Sequence, residues 1–311
     1  MGMNPKSKSV SLKEPLASYL IGTEGKFAPV NPVLKWAGGK GQLIPQMAPY
    51  FPGEFNFYHE PFLGGAAVFF HLVPKHGAKS FLSDAVPDLI NFYIVLKEKT
   101  SEFIEGIKEL NRRYQNANSK QKKEIFYKYR KFDRNGDFEQ LNDLTKAIRF
   151  FFLNKTAFNG LYRTNSSGLF NVPWGKYEKP SLYMPNELSN AAEVLRLFTQ
   201  QIKIADFEIV LDNAKAGDFV YLDPPYVPLS VTSSFTSYAA NGFTLKDQTR
   251  LVSVCVELDK RNIMFMLSNS DVPFVRKSYD LFNIHVLSAR RNINANGEGR
   301  GRINELLITN Y

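Results

Sequence analysis

Cysteine is almost missing from this chain of 311 residues: Cys255 is the single one. That excludes an internal disulfide framework and a thiolate metal site, and fits a reducing compartment. Histidine is scarce as well. His59, His71, His76 and His285 are scattered without the spacing of metal ligands, so no metal is expected. No apolar run approaches the roughly 18 residues of a transmembrane helix, so no membrane association is expected. Residues 1–30 include Lys6 and Lys8 but lack the continuous apolar core of a secretory signal, and Gly22, Gly25 and Pro29 interrupt them. They read as an N-terminal extension of a cytoplasmic protein. No fixed-period repeat and no low-complexity tract occurs.

What is present is ordinary for a globular protein: 44% hydrophobic and 22% charged residues argue against disorder and fibrous repeats. Lys and Arg number 39 against 30 for Asp and Glu, a formal charge of +9 that favours a polyanionic partner. The length allows two domains, or one large α/β domain with an insertion.

Three blocks follow the extension. Over residues 31–96 the pattern is strand, glycine loop, helix, strand, helix: residues 57–62 are aromatic, 66–72 suit a helix and 79–83 a strand. Such alternation predicts a parallel, doubly wound sheet. Residues 97–200 read as helices instead, with Phe103, Ile107, Leu110 and Tyr114 at helical spacing, then Ile125, Tyr129 and Phe132, then Leu141, Leu144 and Ile148. A polar, irregular stretch comes next, where Ser167-Gly168 suits a turn between two short strands. Between 111 and 134 nine basic residues face two acidic ones, a run expected, with Arg290, Arg291, Arg300 and Arg302, to contact phosphates, although by itself it would also suit a solvated helix face. Residues 201–311 return to α/β alternation. They hold strands at 219–222 and 263–267, a helix opened by a capping-box-like Thr244 and Asp247, and a closing pair at 284–287 and 305–310. Cys255 falls on the apolar face of that helix and reads as core. Two α/β blocks flanking a helical, basic insert predict one sheet domain interrupted by a second domain.

The sequence His59-Glu60-Pro61-Phe62-Leu63-Gly64-Gly65 sits where the first strand should hand over to the first helix, and glycines there let a ligand approach the backbone. Asp84, at the end of the next strand, lies where a nucleotide fold sets an acid against ribose hydroxyls. The loop lacks the third glycine of dinucleotide enzymes, which suits an adenosine cofactor without phosphates, such as S-adenosylmethionine, better than NAD. A plain strand cap would look alike. The run Lys35-Trp36-Ala37-Gly38-Gly39-Lys40 is not a phosphate loop, because Leu34 and Gly41 stand where the template needs Gly and Ser or Thr.

Asp223-Pro224-Pro225-Tyr226 follows the strand at 219–222 and so projects from the carboxyl edge of the sheet. Two prolines remove two donors and stiffen the turn, leaving carbonyl acceptors. An exocyclic amino group on a nucleobase is a poor nucleophile because its lone pair is delocalised into the ring. The Asp223 carboxylate and Pro224 carbonyl could bind both amino hydrogens, aim the lone pair at an electrophile, and meet the positive charge that develops. Tyr226 offers a face on which an extruded base can stack. A Pro-Pro turn with a solvated Asp and a packed Tyr is the plainer alternative. Cytosine C5 methylation needs a cysteine nucleophile, and Cys255 is in the wrong place.

Taken together and in order, segments 35–40, 60–65, 158–163, 170–177, 223–226 and 235–238, with Asp84, resemble the Dam-type DNA adenine-N6 methyltransferases, most closely the GATC-modifying members. The likeness spans residues 31–311. It implies a doubly wound, Rossmann-like methyltransferase sheet with an inserted, mostly helical target-recognition domain carrying a β-hairpin. The catalytic domain would comprise 31–96 and 201–311, and the recognition domain 97–200. By resemblance Trp36, Gly38 and Lys40 would line an S-adenosyl-L-methionine pocket. Glu60, Pro61, Phe62 and Gly64 would form the cofactor loop, Asp84 would bind the ribose, and Asp206 and Phe207 would flank the cofactor adenine. Asp223 would border the cofactor as well as act with Pro224 and Tyr226 in catalysis. Lys35 would touch the outer guanine, Phe158 would wedge into the base stack, and Asn159, Leu161, Arg163, Pro173 and Tyr177 would lie near base edges. Residues between Asn165 and Phe170 differ among members, so the hairpin tip is assigned no contacts.

These readings imply a methyltransferase acting on adenine N6 in double-stranded DNA, within GATC. A cognate restriction endonuclease sharing that site would be compatible, with no direct contact implied. The alternatives are an N6-adenine methyltransferase of single-stranded DNA or RNA, and a catalytically inactive DNA-binding protein on the same fold. Intact Asp223 and Tyr226 count against the last.

Overall fold

The computed structural model describes residues 30–134, 136, 138–227, 243–290 and 302–311. Numbered in chain order, leaving out one-turn helices, its elements begin with β1 (Phe57–Glu60), α1 (Ala67–His76), β2 (Lys79–Asp84) and α2 (Pro87–Glu98). Helices α3 (Thr100–Gln115), α4 (Ser119–Arg130), α5 (Asp143–Thr156) and α6 (Pro185–Phe198) lead to β3 (Thr199–Ile204) and β4 (Phe219–Leu222). The chain closes with α7 (Leu245–Lys260), β5 (Met264–Ser270), α8 (Pro273–Ser278), β6 (Asn283–Arg290) and β7 (Arg302–Thr309).

The strands make one seven-stranded sheet in the order β3-β2-β1-β4-β5-β7-β6. β3, β2, β1, β4 and β5 run parallel, and β7 is antiparallel to both β5 and β6. Because side chains alternate along a strand, the central strands feed two cores. Phe219 and Tyr221 of β4, with Met266 and Leu307, join α1, α2 and α6 on one face. Val220 and Leu222, with Phe265, Leu267, Leu306 and Ile308, join α7 and α8 on the other. Helices therefore cover both faces, and Cys255 is buried in the second core.

Local signals explain most boundaries. β1 stops at Glu60, two residues short of the expected end, where Pro61 removes a ladder donor. The predicted helix at 66–72 begins one residue later, since Ala66 is left-handed (φ 56°), and runs on to Gly77 (φ 71°). The capping box of Thr244 and Asp247 opens α7 as expected, and Asn118 with Gln121 makes another at α4.

Between β2 and β3 the helices build a third cluster, with Leu110 and Tyr114 of α3, Phe126 of α4, Phe152 and Leu153 of α5, and Phe170, Val172 and Leu182 beyond them. The α3 spacing holds, since Phe103, Ile107, Leu110 and Tyr114 are all buried. On α4 the buried residue is Phe126, whereas Ile125 and Tyr129 are half-buried: the short helix meets its neighbours along one edge only. Although it falls within 97–200, α6 packs in the sheet core with α1 and α2.

Residues 157–175 form a narrow excursion. Isolated bridges join Ala157 to Trp174 and Thr164 to Phe170, and the turn passes through Gly168 at φ 75°. The turn at Ser167-Gly168 is present, but the flanking segments make single bridges instead of strands.

Candidate functional site

Parallel β1, β2 and β4 end at one edge of the sheet and deliver to it Glu60 and Asp84, the last residues of β1 and β2, and Asp223, the residue after β4. The Asp84 carboxylate accepts the Gly64 N–H and the Val86 N–H, both at 3.0 Å. The glycine loop is thereby tied to the end of β2. Gly64 has φ 46°, and a β-carbon there would stand 2.7 Å from Trp36 Cδ1, so the indole fills the space a side chain would need. Tyr93 donates to the Gly64 carbonyl at 3.0 Å. Trp36 thus backs the loop. Pro61 is buried beside His59.

Phe62 stacks on Phe207 (centroids 5.4 Å apart), and the Arg250 guanidinium lies 4.8 Å over the Phe207 ring. Arg250 also pairs with Asp206, Glu208 and Asp247 at 2.9–3.0 Å. Asp206 caps the short turn after β3 by accepting the Glu208 N–H. Glu60 is buried and accepts the Tyr58 hydroxyl at 2.8 Å. Burial holds its carboxyl well above the ordinary range, and Asp84 is raised for the same reason.

Asp223 opens the turn beyond β4. Lys40, 2% exposed, places its ammonium 2.7 Å from the Asp223 carboxylate, 2.7 Å from the Gly38 carbonyl and 3.6 Å from Glu305. It also lies 4.9 Å over the Tyr226 ring, and the Tyr226 hydroxyl donates to Glu305. Burial raises Asp223 above the ordinary carboxyl range, and Lys40 pulls it back. The turn is held from behind. The Pro225 carbonyl accepts from Gln248 of α7 at 2.8 Å, the Val227 N–H donates to Asn269, and Ser270 donates to the Val227 carbonyl.

The other group of predicted residues meets around the 157–175 excursion. Lys35 has its backbone N–H and carbonyl bound by the Asn154 side chain (3.0 and 2.6 Å), and its ammonium lies 5.1 Å over Tyr177. Asn159 is left-handed (φ 55°) and donates its N–H to the Tyr177 hydroxyl. Phe158 is 51% exposed, and its N–H is held by the Pro173 carbonyl. Leu161 is half-buried and Pro173 exposed. Arg163 donates to Asn171 across the excursion at 2.8 Å. Within the basic run, Arg130 and Arg134 bond the Phe170 carbonyl and so hold the excursion in place, while Lys122 bonds the Glu178 carbonyl just beyond it.

Sequence reasoning missed Glu305, Gln248, Asn269, Asn154 and Arg250. Glu305 had a signal, a lone charge in the apolar run Ile303-Asn304-Glu305-Leu306-Leu307-Ile308. The others look like ordinary helix or strand polar residues. Segment 235–238, Arg291, Arg300 and nearly all of the N-terminal extension lie outside the described residues. Among the described residues no cluster of His, Cys, Asp or Glu could hold a metal, and no helix is long and apolar enough to cross a membrane.

The donor set is rich in carboxylates and aromatic faces. Such an edge suits hydroxyls, amino groups and a flat base, and would repel a pyrophosphate. An adenosine-based cofactor without phosphates fits it.

Known proteins share this arrangement of sequence. Residues 36–293 match the family described as D12 class N6 adenine-specific DNA methyltransferase. The chain is 39% identical over 282 residues to the type II methyltransferase M1.LlaDCHI of Lactococcus lactis subsp. cremoris, covering 91% of this chain and 96% of that one. It is 42% identical over 290 residues to M.MjaIII of Methanocaldococcus jannaschii, covering 91% and 99%. To the DNA adenine methylase of Escherichia coli it is 36% identical over 278 residues, covering 88% and 93%.

Proposed function

Because the chain belongs to the D12 class of N6 adenine-specific DNA methyltransferases, we propose that it methylates the adenine of GATC in double-stranded DNA, with S-adenosyl-L-methionine as methyl donor. The observation that carries the reading is the Asp223–Tyr226 turn at the sheet edge beside Asp84 and the glycine loop, with the base-reading candidates gathered on and around the excursion at 157–175. Residues 31–96 and 201–311, together with α6 and the start of β3 that pack with the sheet, would serve as the catalytic domain, and the rest of 97–200 as the target-recognition insert. A cognate endonuclease cutting the same sequence is compatible with this role.

Asp84 would hold the ribose hydroxyls of the donor with the lone pairs its two N–H contacts leave free, and the Gly64 turn would let the cofactor approach the backbone. Phe62, Phe207 and Asp206 would border its adenine, and Trp36, Gly38, Lys40, Glu60 and Pro61 would complete the pocket. When bound, S-adenosylmethionine supplies an electrophilic methyl group on a sulfonium.

The chain supplies the rest. Phe158 enters the stack where the target adenine leaves it, exchanging an exposed ring for base contacts. Tyr226 receives the face of the extruded base. Asp223 and the Pro224 carbonyl accept the two hydrogens of N6, turn its lone pair outward, and stabilise the positive charge that forms there. The bonds from Gln248, Asn269 and Ser270 hold the turn before the base arrives, so little reorganisation accompanies the reaction. Lys35, Asn159, Leu161, Arg163, Pro173 and Tyr177 would read base edges.

The test is transfer of labelled methyl groups to GATC duplexes, altered duplexes, single strands and RNA, with the modified adenines then located by sequencing. Label at adenine N6 within duplex GATC is expected. Equal labelling of single strands or RNA refutes the duplex substrate, and another methylated motif refutes GATC.

A further inference from the structure

Arg163 has as its neighbour a residue that the catalytic reading leaves without a task. The Tyr162 ring stacks on Trp36 (centroids 6.0 Å, interplanar angle 18°) and packs against Phe150 and Phe170 at 5.1 and 5.5 Å. Its hydroxyl donates to Asp88 at 2.7 Å. Asp88 sits in the first turn of α2, the helix that follows the Asp84 loop.

Behind this bond lies a buried ionic network. Arg149 of α5 is 1% exposed and reaches Asp133 at 2.7 Å, Asp88 at 3.6 Å and the carbonyls of Tyr129 and Arg130. The oxygen of Asp133 that meets Arg149 also accepts the Phe170 N–H at 2.7 Å. Phe170 faces Thr164 across the excursion. The outgoing arm is thus tied to Asp88 at Tyr162 and the returning arm to Asp133 at Phe170, on either side of Arg163. Asn171, the residue after Phe170, holds the Arg163 side chain from the returning arm.

Three aromatic contacts would keep a phenylalanine in place here, and burying a hydroxyl beside a carboxylate costs solvation that an apolar ring would avoid. What the hydroxyl adds is direction. It fixes where the arm leaves the helical layer, and a side chain that reads a base tolerates little error in its origin.

We propose that Tyr162 is a specificity-positioning residue: through its bond to Asp88 it anchors the arm bearing Arg163 and sets how sharply the enzyme discriminates among DNA sequences. The proposal rests on the base-reading role given to Arg163 above: a guanidinium is shaped to bond the O6 and N7 of a guanine in the major groove, and the third pair of GATC carries its guanine on the opposite strand.

Tyr162→Phe keeps the ring contacts and removes only the hydroxyl. For the wild type, Tyr162→Phe and Arg163→Ala, kcat/KM is measured on a GATC duplex and on duplexes altered at the third pair of that site. KM for the cofactor and the thermal midpoint are measured alongside. Arg163→Ala should erase most of the discrimination at that pair, and Tyr162→Phe should lower it by about threefold to tenfold, part of what a bidentate contact is worth. Cofactor KM should stay within about twofold, because the hydroxyl touches no cofactor-loop residue. A Tyr162→Phe enzyme that loses activity by one common factor on every duplex, or only melts earlier, overturns the proposal. If Arg163→Ala itself leaves discrimination intact, the base-reading premise fails, and the proposal falls with it. If only Tyr162→Phe is without effect, the premise stands and the positioning role alone is refuted.

Discussion

Replacing Lys40 with methionine removes the ammonium that lies 2.7 Å from the Asp223 carboxylate and leaves a side chain of similar length. With an effective dielectric of about 20, a pair at that separation attracts by about 6 kcal/mol. The net effect is smaller, because Lys40 is itself buried and desolvated. An opposite charge in contact commonly displaces a carboxyl titration by about one to three pH units. Asp223 is already raised by burial, and Lys40 is the main influence opposing that rise. Glu305 of β7, Glu60 and Tyr58 of β1, Tyr221 of β4 and Tyr226 of its own turn also face it, and none is a cation. On the proposed mechanism the ionised carboxylate accepts the amino hydrogens and the protonated one does not, so activity should fall as pH drops through the Asp223 pKa. In Lys40→Met that acid limb should move toward alkaline pH by about one to three units, each costing tenfold below the limb. The assay is kcat for transfer to a GATC duplex at saturating cofactor from about pH 5.5 to 9.5. Recovery toward wild-type turnover at high pH is expected. A loss uniform across pH, or a limb that stays in place, refutes the tuning role of Lys40.

Asp223→Ala should abolish transfer while DNA and cofactor binding stay within about tenfold, since the carboxylate acts mainly on the transition state; appreciable turnover by this variant would sink the mechanism. Asp223→Asn, which loses the charge and one acceptor, should also be severely impaired in the same assay. Gly64→Ala must place a methyl group 2.7 Å from Trp36 at φ 46°, and should cost about 1–3 kcal/mol along with cofactor affinity. An unchanged denaturant midpoint would show that the loop gives way freely. Phe158→Ala should leave the thermal midpoint nearly unchanged, because the ring is half exposed, yet depress extrusion of a fluorescent adenine analogue in the target position. Normal extrusion would remove the wedge role. Buried Glu60 takes up its proton at higher pH in the folded chain than in the unfolded one. Folding stability from this group therefore rises as pH falls from the raised folded pKa toward the ordinary carboxyl value. Denaturant unfolding of Glu60→Gln should lack that contribution, and an identical pH dependence in both proteins would refute it.

The alternation of strand and helix signals, the Asp223-Pro224-Pro225-Tyr226 turn and the glycine loop were legible without coordinates because each is local. Periodicity, proline geometry and capping act over a few residues. Matching order along the chain then identified the family. Boundaries slipped where a single residue overrode the pattern, as Pro61 did at the end of β1 and Ala66 at the start of α1. On α4 periodicity selected Ile125 and Tyr129, but contact geometry buried Phe126.

What the sequence by itself determined was the family and the edge of a parallel sheet at which its candidate residues sit. The strand ends place Asp84 and Asp223 there whatever the side chains around them do. Tertiary structure alone decided their company. Lys40 meets Asp223 across 183 positions of chain, and Glu305 meets Tyr226 across 79. Tyr162 meets Asp88 across 74. Nothing local encodes such pairs: a charge on a strand looks the same whether it faces solvent or a buried tyrosine. Only closure of the sheet, with β7 inserted between β5 and β6, brings Glu305 to the site. Burial there turns ordinary carboxylates into groups held above their usual range, and so makes a neighbouring lysine decisive.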